Sequence, residues 1–146
     1  MTEGPPAPAA RLLCLRAETG GDLLPLSALV QDMVLMAGEV GYDARARRIL
    51  LLGNRFRWEA PEPPTRVRSL LRIEFVDRAR RRNWPALGTE VFSLLALSAE
   101  EAPGGALLTL SFSGGPTLRL EVEVIDVTLV DLAGPWPARR APAHPD

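Results

Sequence analysis

Lysine is missing altogether: all 17 basic residues of the 146-residue chain are arginine. Schiff-base chemistry and the lysine contact of a P-loop are therefore excluded. A GC-rich coding sequence favours arginine codons over lysine codons, so the arginine count is discounted as a sign of function. Cysteine occurs once, at Cys14, which excludes an internal disulfide and a thiolate metal cage. In Leu12-Leu13-Cys14-Leu15 it reads as a small core hydrophobe. Histidine also occurs once, as His144 in a proline-rich terminus. It is poorly placed to act as a general base or ligand, and Ser-His-Asp and Cys-His arrangements fall with it. No apolar run reaches the roughly 18 residues of a membrane span. The first ten residues lack a basic stretch followed by an apolar one, so no secretory signal is expected. The expected location is the cytoplasm, with no membrane partner.

What is present is ordinary for one globular domain: 47% hydrophobic and 24% charged residues. The net charge is only −1, but it is unevenly spread. Residues 1–44 hold two arginines and six acids, residues 45–82 twelve arginines and four acids, and residues 83–146 three arginines and eight acids. Such asymmetry is the most informative feature of the composition.

Residues 1–10 and 135–146, rich in proline and small residues, read as disordered tails around one domain at 11–134. Arg11 to Glu18 reads as a first strand, closed by Gly20-Gly21. Asp22 is a good N-cap and Pro25 fits a first turn, so Leu23, Leu26, Leu29, Val30 and Met33 predict a helix near 23–32. Val34 to Tyr42 and Arg47 to Trp58 read as strands, with Gly53-Asn54 as a bulge rather than a two-residue turn. The proline loop at 60–64 cannot pair in a sheet. Arg66 to Val76 alternates, with Val67, Leu71, Ile73 and Phe75 on one face. Arg78 to Gly88 reads as a loop, and Val91 to Ser98 and Ala106 to Ser113 as strands. Leu118, Leu120, Val122 and Val124 face inward on a last long strand, which changes phase at Ile125 as at a bulge. Phe56 and Trp58 complete the expected core. The fold class is α+β, mainly β. About seven antiparallel strands curl into a sandwich or partial barrel, with one short helix near the N-terminus.

Several blocks together resemble one family. They are Leu26-Ser27-Ala28-Leu29-Val30-Gln31-Asp32, Asn54-Arg55-Phe56-Arg57-Trp58-Glu59, Arg66-Val67-Arg68-Ser69, Leu118-Arg119-Leu120-Glu121-Val122-Glu123, Asp131-Leu132 and Gly134-Pro135-Trp136. The family is alphaproteobacterial and catalogued only as a domain of unknown function. The resemblance covers most of residues 11–137 and implies a single-domain cytoplasmic bacterial protein. It supplies no activity, cofactor or catalytic residue. Gly53 departs from the pattern, standing where a larger apolar residue is expected.

No catalytic motif is present, and no cofactor or enzyme activity is expected. The pairs Gly104-Gly105 and Gly114-Gly115 lie between strands and read as turns, since a phosphate cradle needs a helix after it. Glu121 and Glu123 fall on one side of a strand, where a pair could hold a cation or transfer protons, but a solvated face or arginine partners explain them as well. The constellation worth following is arginine. Arg55 and Arg57 share one side of their strand, and Arg66, Arg68 and Arg72 share the outer side of the next. If the proline loop joins these strands as a hairpin, five guanidinium groups converge on one face, with Arg78, Arg80, Arg81, Arg82 and Trp84 beyond it. Guanidinium binds carboxylate and phosphate in a bidentate way. The leading expectation is a non-catalytic module that docks an acidic protein. A nucleic-acid interface on the same face is the alternative, and a carboxylate-based enzyme a lesser one. The competing view is that Glu59, Glu74, Asp77, Glu121 and Glu123 neutralise the arginines internally.

Overall fold

In the chain's computed structural model, residues 12–138 and 142 are described. The expected disordered tails at 1–10 and, apart from 135–138 and 142, at the C-terminus lie outside those residues, as does His144.

Strand β1 (Cys14–Ala17) is followed by helix α1 (Gly20–Val30). Thr19, rather than Asp22, caps that helix, its hydroxyl accepting from the Asp22 N–H at 3.1 Å. The helix thus starts earlier than the apolar spacing alone indicated, and Pro25 lies one turn further in. Leu23, Leu26 and Val30 form its buried stripe. Cys14 is exposed, contrary to the core reading.

The segment expected to form one strand from Val34 to Tyr42 is broken. β2 (Met33–Met36) and β3 (Val40–Asp43) flank a 3₁₀ turn at Ala37–Glu39. The break lets Gly38 donate its N–H to the Gly88 carbonyl at 2.9 Å. β4 (Arg48–Phe56) and β5 (Thr65–Ile73) then pair as the antiparallel hairpin that the proline loop implied. No bulge interrupts them: Gly53 pairs with Ser69 and Asn54 with Arg68 in unbroken register. Gly53 is there because β2, which pairs with β4 at Val34 and Asn54, approaches closely, and a Cβ would lie 2.7 Å from the Val34 carbonyl oxygen.

Chain 78–82, expected as loop, belongs to β6 (Val76–Arg82). A bulge between Val76 and Arg78 disrupts its alternation, which hid it. Phe75, expected in the core, is 40% exposed with φ of 58°, because it bends the chain from β5 into β6. β7 (Val91–Ala102), β8 (Gly105–Phe112) and β9 (Thr117–Val122) form a meander. The expected long final strand is in fact two, since β9 ends at Val122 and β10 (Val127–Pro137) begins elsewhere in the sheet. The phase change at Ile125 thus marks a crossing rather than a bulge, and Val124 is exposed rather than core. β10 carries residues 135–137 into the sheet, so these three do not belong to the expected disordered tail.

The described residues therefore form ten antiparallel strands rather than about seven, with one helix. Sheet order is β1-β10-β5-β4-β2-β7-β8-β9-β6, and β3 pairs beside β4. The ladder does not close, so β1 and β6 are edges. One core cluster draws Leu23, Leu51, Leu71, Leu94, Leu110, Leu120 and Leu129 from the helix and six strands. Phe56, Val67, Leu71, Ile73, Leu120 and Val122 are buried as expected, while Trp58 is half-buried.

Candidate functional site

Arg66, Arg68 and Arg72 share the outer face of β5, as strand parity predicts. Arg55 does not join them. It pairs with Val67 and lies with Ile49, Leu51 and Gly53 on the core face of β4, its side chain fully buried. The four apolar residues Ile49 to Leu52 cover both faces of β4, so the sequence there carries no alternation to show which face is inner. Arg57 falls past the end of β4, where its Nη1 donates to Thr65 Oγ1 at 3.4 Å.

The Arg55 guanidinium is completely coordinated. Its Nε and Nη2 donate to the two Asp131 oxygens at 2.8 and 2.7 Å. Its Nη1 and Nη2 donate to the two Glu59 oxygens at 2.8 and 2.6 Å, and Nη1 also donates to the Phe56 carbonyl at 3.3 Å. All five donors of the fork are used. Asp131 accepts further bonds from Ser69 Oγ at 2.7 Å and the Leu13 N–H at 3.0 Å. Burial works against the charges, but these bonds outweigh it. They hold the Arg55 pKa above its ordinary value, and those of Glu59 and Asp131 below theirs. The group ties β4 to β5, β10 and the approach to β1. Its donors and acceptors are spent on one another, so it is a structural clamp.

The outer arginines of β5 are also engaged. Arg68 Nη2 donates to Glu39 at 2.8 Å and Nη1 to Asn54 Oδ1 at 3.3 Å. Arg66 Nη1 donates to the carbonyls of Asp32 and Asn54 at 3.2 and 3.1 Å and stacks over Phe56, and burial lowers its pKa. Arg72 Nε lies 3.4 Å from Glu74 without a hydrogen bond to it, while Glu74 accepts from Arg48. The expected neutralisers Glu121 and Glu123 are elsewhere, beside other arginines. Glu123 accepts from Arg47 at 2.8 Å, and Glu121 stands 4.0 Å from Arg78.

The exposed arginines lie instead on β6 and β9. Arg78, Arg80 and Arg82 point outward from β6, and Arg119 of β9 stands directly opposite Arg80. Among the described residues, no side-chain hydrogen bond or ion pair reaches Arg80, Arg82 or Arg119. Arg81 turns the other way and lies over Trp84 at 5.5 Å. Trp84 itself packs edge-on against Phe92 and Phe112, so it is a plug for the core and not a free stacking platform. The run 78–82 was visible in the sequence as basic, but Arg119 was not, because only the β6–β9 pairing brings it there.

Among the described residues, no group of three or more His, Cys, Asp or Glu gathers as a metal-binding set, and no helix is long and apolar enough to cross a membrane. A family model described as a protein of unknown function (DUF2948) matches residues 13–144. No curated protein and no solved structure matches the chain.

Proposed function

The chain belongs to the DUF2948 family, and we propose that it acts as a non-catalytic module that binds an acidic protein through the arginines of β6 and β9. One observation carries this reading. Arg78, Arg80, Arg82 and Arg119 share one exposed sheet face, and among the described residues the one carboxylate within 4.0 Å of any of them is Glu121, beside Arg78. Like charges side by side on a sheet repel, so this arrangement costs stability unless a partner offsets it. The expected set, Arg55, Arg57, Arg66, Arg68 and Arg72, contributes less, because Arg55 is buried with all its donors used and Arg66, Arg68 and Arg72 are half-buried beside Asn54, Glu39 and Glu74. Trp84 is built into the core, which favours carboxylates over nucleotide bases, since single-stranded nucleic acid is held on free aromatic faces.

A cytoplasmic setting accords with this reading. Cys14 is exposed and unpaired, a state that a reducing compartment maintains. The curl of the sheet into a partial barrel is supported by the single core cluster, which draws on strands from both halves of the ladder.

Titration with poly-glutamate and with a mixed-sequence oligonucleotide tests the proposal, in wild type and in Arg80→Glu with Arg119→Glu. The expected outcome is poly-glutamate binding that weakens with salt and is lost in the double variant. Tighter oligonucleotide binding with a steep salt slope would transfer the face to nucleic acid. Binding that survives the double variant but is lost in Arg66→Ala with Arg68→Ala would return the site to β5.

A further inference from the structure

β6 is paired on one side only, by β9. In an antiparallel ladder, alternate residues turn their N–H and C=O to each neighbour. Alternate residues of β6 therefore present these groups away from β9. Its first residue is met there: the Val76 N–H donates to the Arg47 carbonyl at 2.9 Å, and the Tyr42 hydroxyl donates to the Val76 carbonyl at 3.5 Å. Beyond that anchor, no described strand pairs with the stretch from Ala79 to Arg82 on this side. β3 is likewise paired on one side only, by β4. Between these two open edges runs a groove of about 300 Å³, lined by Val40, Tyr42, Ile49, Ala79, Arg81 and Leu118. A second hollow of about 390 Å³ continues it through the shared Val40 and Arg81 toward Trp84.

Open edges are commonly guarded with charge and bulges to prevent pairing between copies. β6 has both devices, four arginines against one aspartate and a bulge at its start. Such a guard is selective by sign. It repels a second arginine edge and attracts a strand that carries carboxylates.

We propose that β6 receives an acidic peptide as an added antiparallel or parallel strand, seated along the groove between β6 and β3. This rests on the binding-module reading above and specifies how the partner is held. Side chains of an added strand alternate between faces. Carboxylates at every second position meet Arg78, Arg80 and Arg82 on the outer face. The residues between them, small and apolar, enter the groove against Val40, Ala79 and Leu118. The recognised sequence therefore has a period of two, acidic and apolar in turn, and takes its affinity from main-chain bonds as well as charge.

The test uses the full chain and an eight-residue peptide alternating Glu and Val, with binding followed by calorimetry and by amide hydrogen exchange. Two further peptides are N-methylated at alternate amides, one in each register. The expected result is that one register weakens binding about tenfold or more while the other leaves it nearly unchanged, since only one set of amides faces β6. Exchange should slow, when the parent peptide binds, at those amides between Ala79 and Arg82 that face away from β9. If both methylated peptides bind like the parent, charge alone holds the partner. Strand addition is then overturned, and the binding-module reading stands. If the parent peptide does not bind at low salt, both fail. Slowed exchange confined to β5 would also overturn strand addition on β6. So would a concentration-dependent dimer whose β6 amides are already protected and which the peptide does not dissociate, because the edge then serves a second copy of the chain.

Discussion

A charged side chain as deeply buried as Arg55 is tolerable only because every one of its donors is met, and that sets what its partners should be worth. Removing one member of a buried ion pair typically costs about 3–5 kcal/mol, since the other charge is left uncompensated. Asp131→Asn should approach that figure, because the Asp131 side chain is 1% exposed and also serves Ser69 and Leu13. Glu59→Gln should cost about 1 kcal/mol or less, because the Glu59 side chain is 32% exposed and water can replace it. Denaturant melts that reverse this order would show that Glu59, not Asp131, is the main counter-charge. The pH dependence follows from the lowered pKa values of both carboxylates. A depressed carboxylate contributes its full stability above its unfolded-state pKa, about 4, and loses it as pH falls through the lower folded-state value. The stability gap between wild type and Asp131→Asn should thus be flat from pH 7 to about pH 5 and should narrow below about pH 4. A gap that is unchanged at pH 2 would mean that Asp131 acts through shape and not through charge.

At the scale of elements, the close approach of β2 to its neighbour β4 is a tight constraint. Gly53→Ala would place a methyl 2.7 Å from the Val34 carbonyl oxygen, with the backbone rather than a flexible side chain in the way. A loss of roughly 1–3 kcal/mol is expected from such overpacking. Gly41→Ala in β3, where nothing lies within 4 Å, is the control and should be near neutral. Equal thermal shifts in the two variants would show that β2 yields to the methyl. The same close approach explains why Gly53 departed from the expected apolar pattern. Elements with a water-facing side were legible. The alternation of β5 placed Val67, Leu71 and Ile73 inward and Arg66, Arg68 and Arg72 outward, and the proline loop announced the β4–β5 hairpin. Elements whose two faces have like character were not legible. β4 is apolar on both faces through Ile49 to Leu52, which reversed the placement of Arg55. β6 is polar on nearly all sides because it is an edge, so it passed for a loop. The break between β9 and β10 kept its apolar residues and shifted only their phase, a signature that a bulge would share.

Across the whole molecule, the basic middle of the chain is neutralised partly by its own acids, such as Glu59 and Glu74, and partly by the acidic ends of the sequence. Glu39 meets Arg68, Glu123 meets Arg47, and Asp131 meets Arg55. The charge asymmetry was readable in the composition, but its cancellation was not, because each of these pairs spans tens of residues and exists only through the sheet order. The cluster that survives cancellation lies on β6 and β9, where Arg80 faces Arg119. That leftover has an energetic sign that can be tested. Arg80→Glu replaces a like-charge cross-strand pair with an opposite-charge one, so the fold should gain roughly a few tenths of a kcal/mol at low salt. The gain should fade near 1 M salt, where screening acts within about 3 Å. The cost of Asp131→Asn, which lies out of reach of the ions, should persist at both salt levels. Arg80→Glu should at the same time weaken capture of the alternating Glu-Val peptide by about tenfold or more, the loss of a charge-assisted contact and its replacement by repulsion. A residue kept for stability would show the opposite pairing, with stability lost and binding untouched. If Arg80→Glu destabilises the protein at low salt, Arg80 is serving the fold, and the cationic face is not held open for a partner.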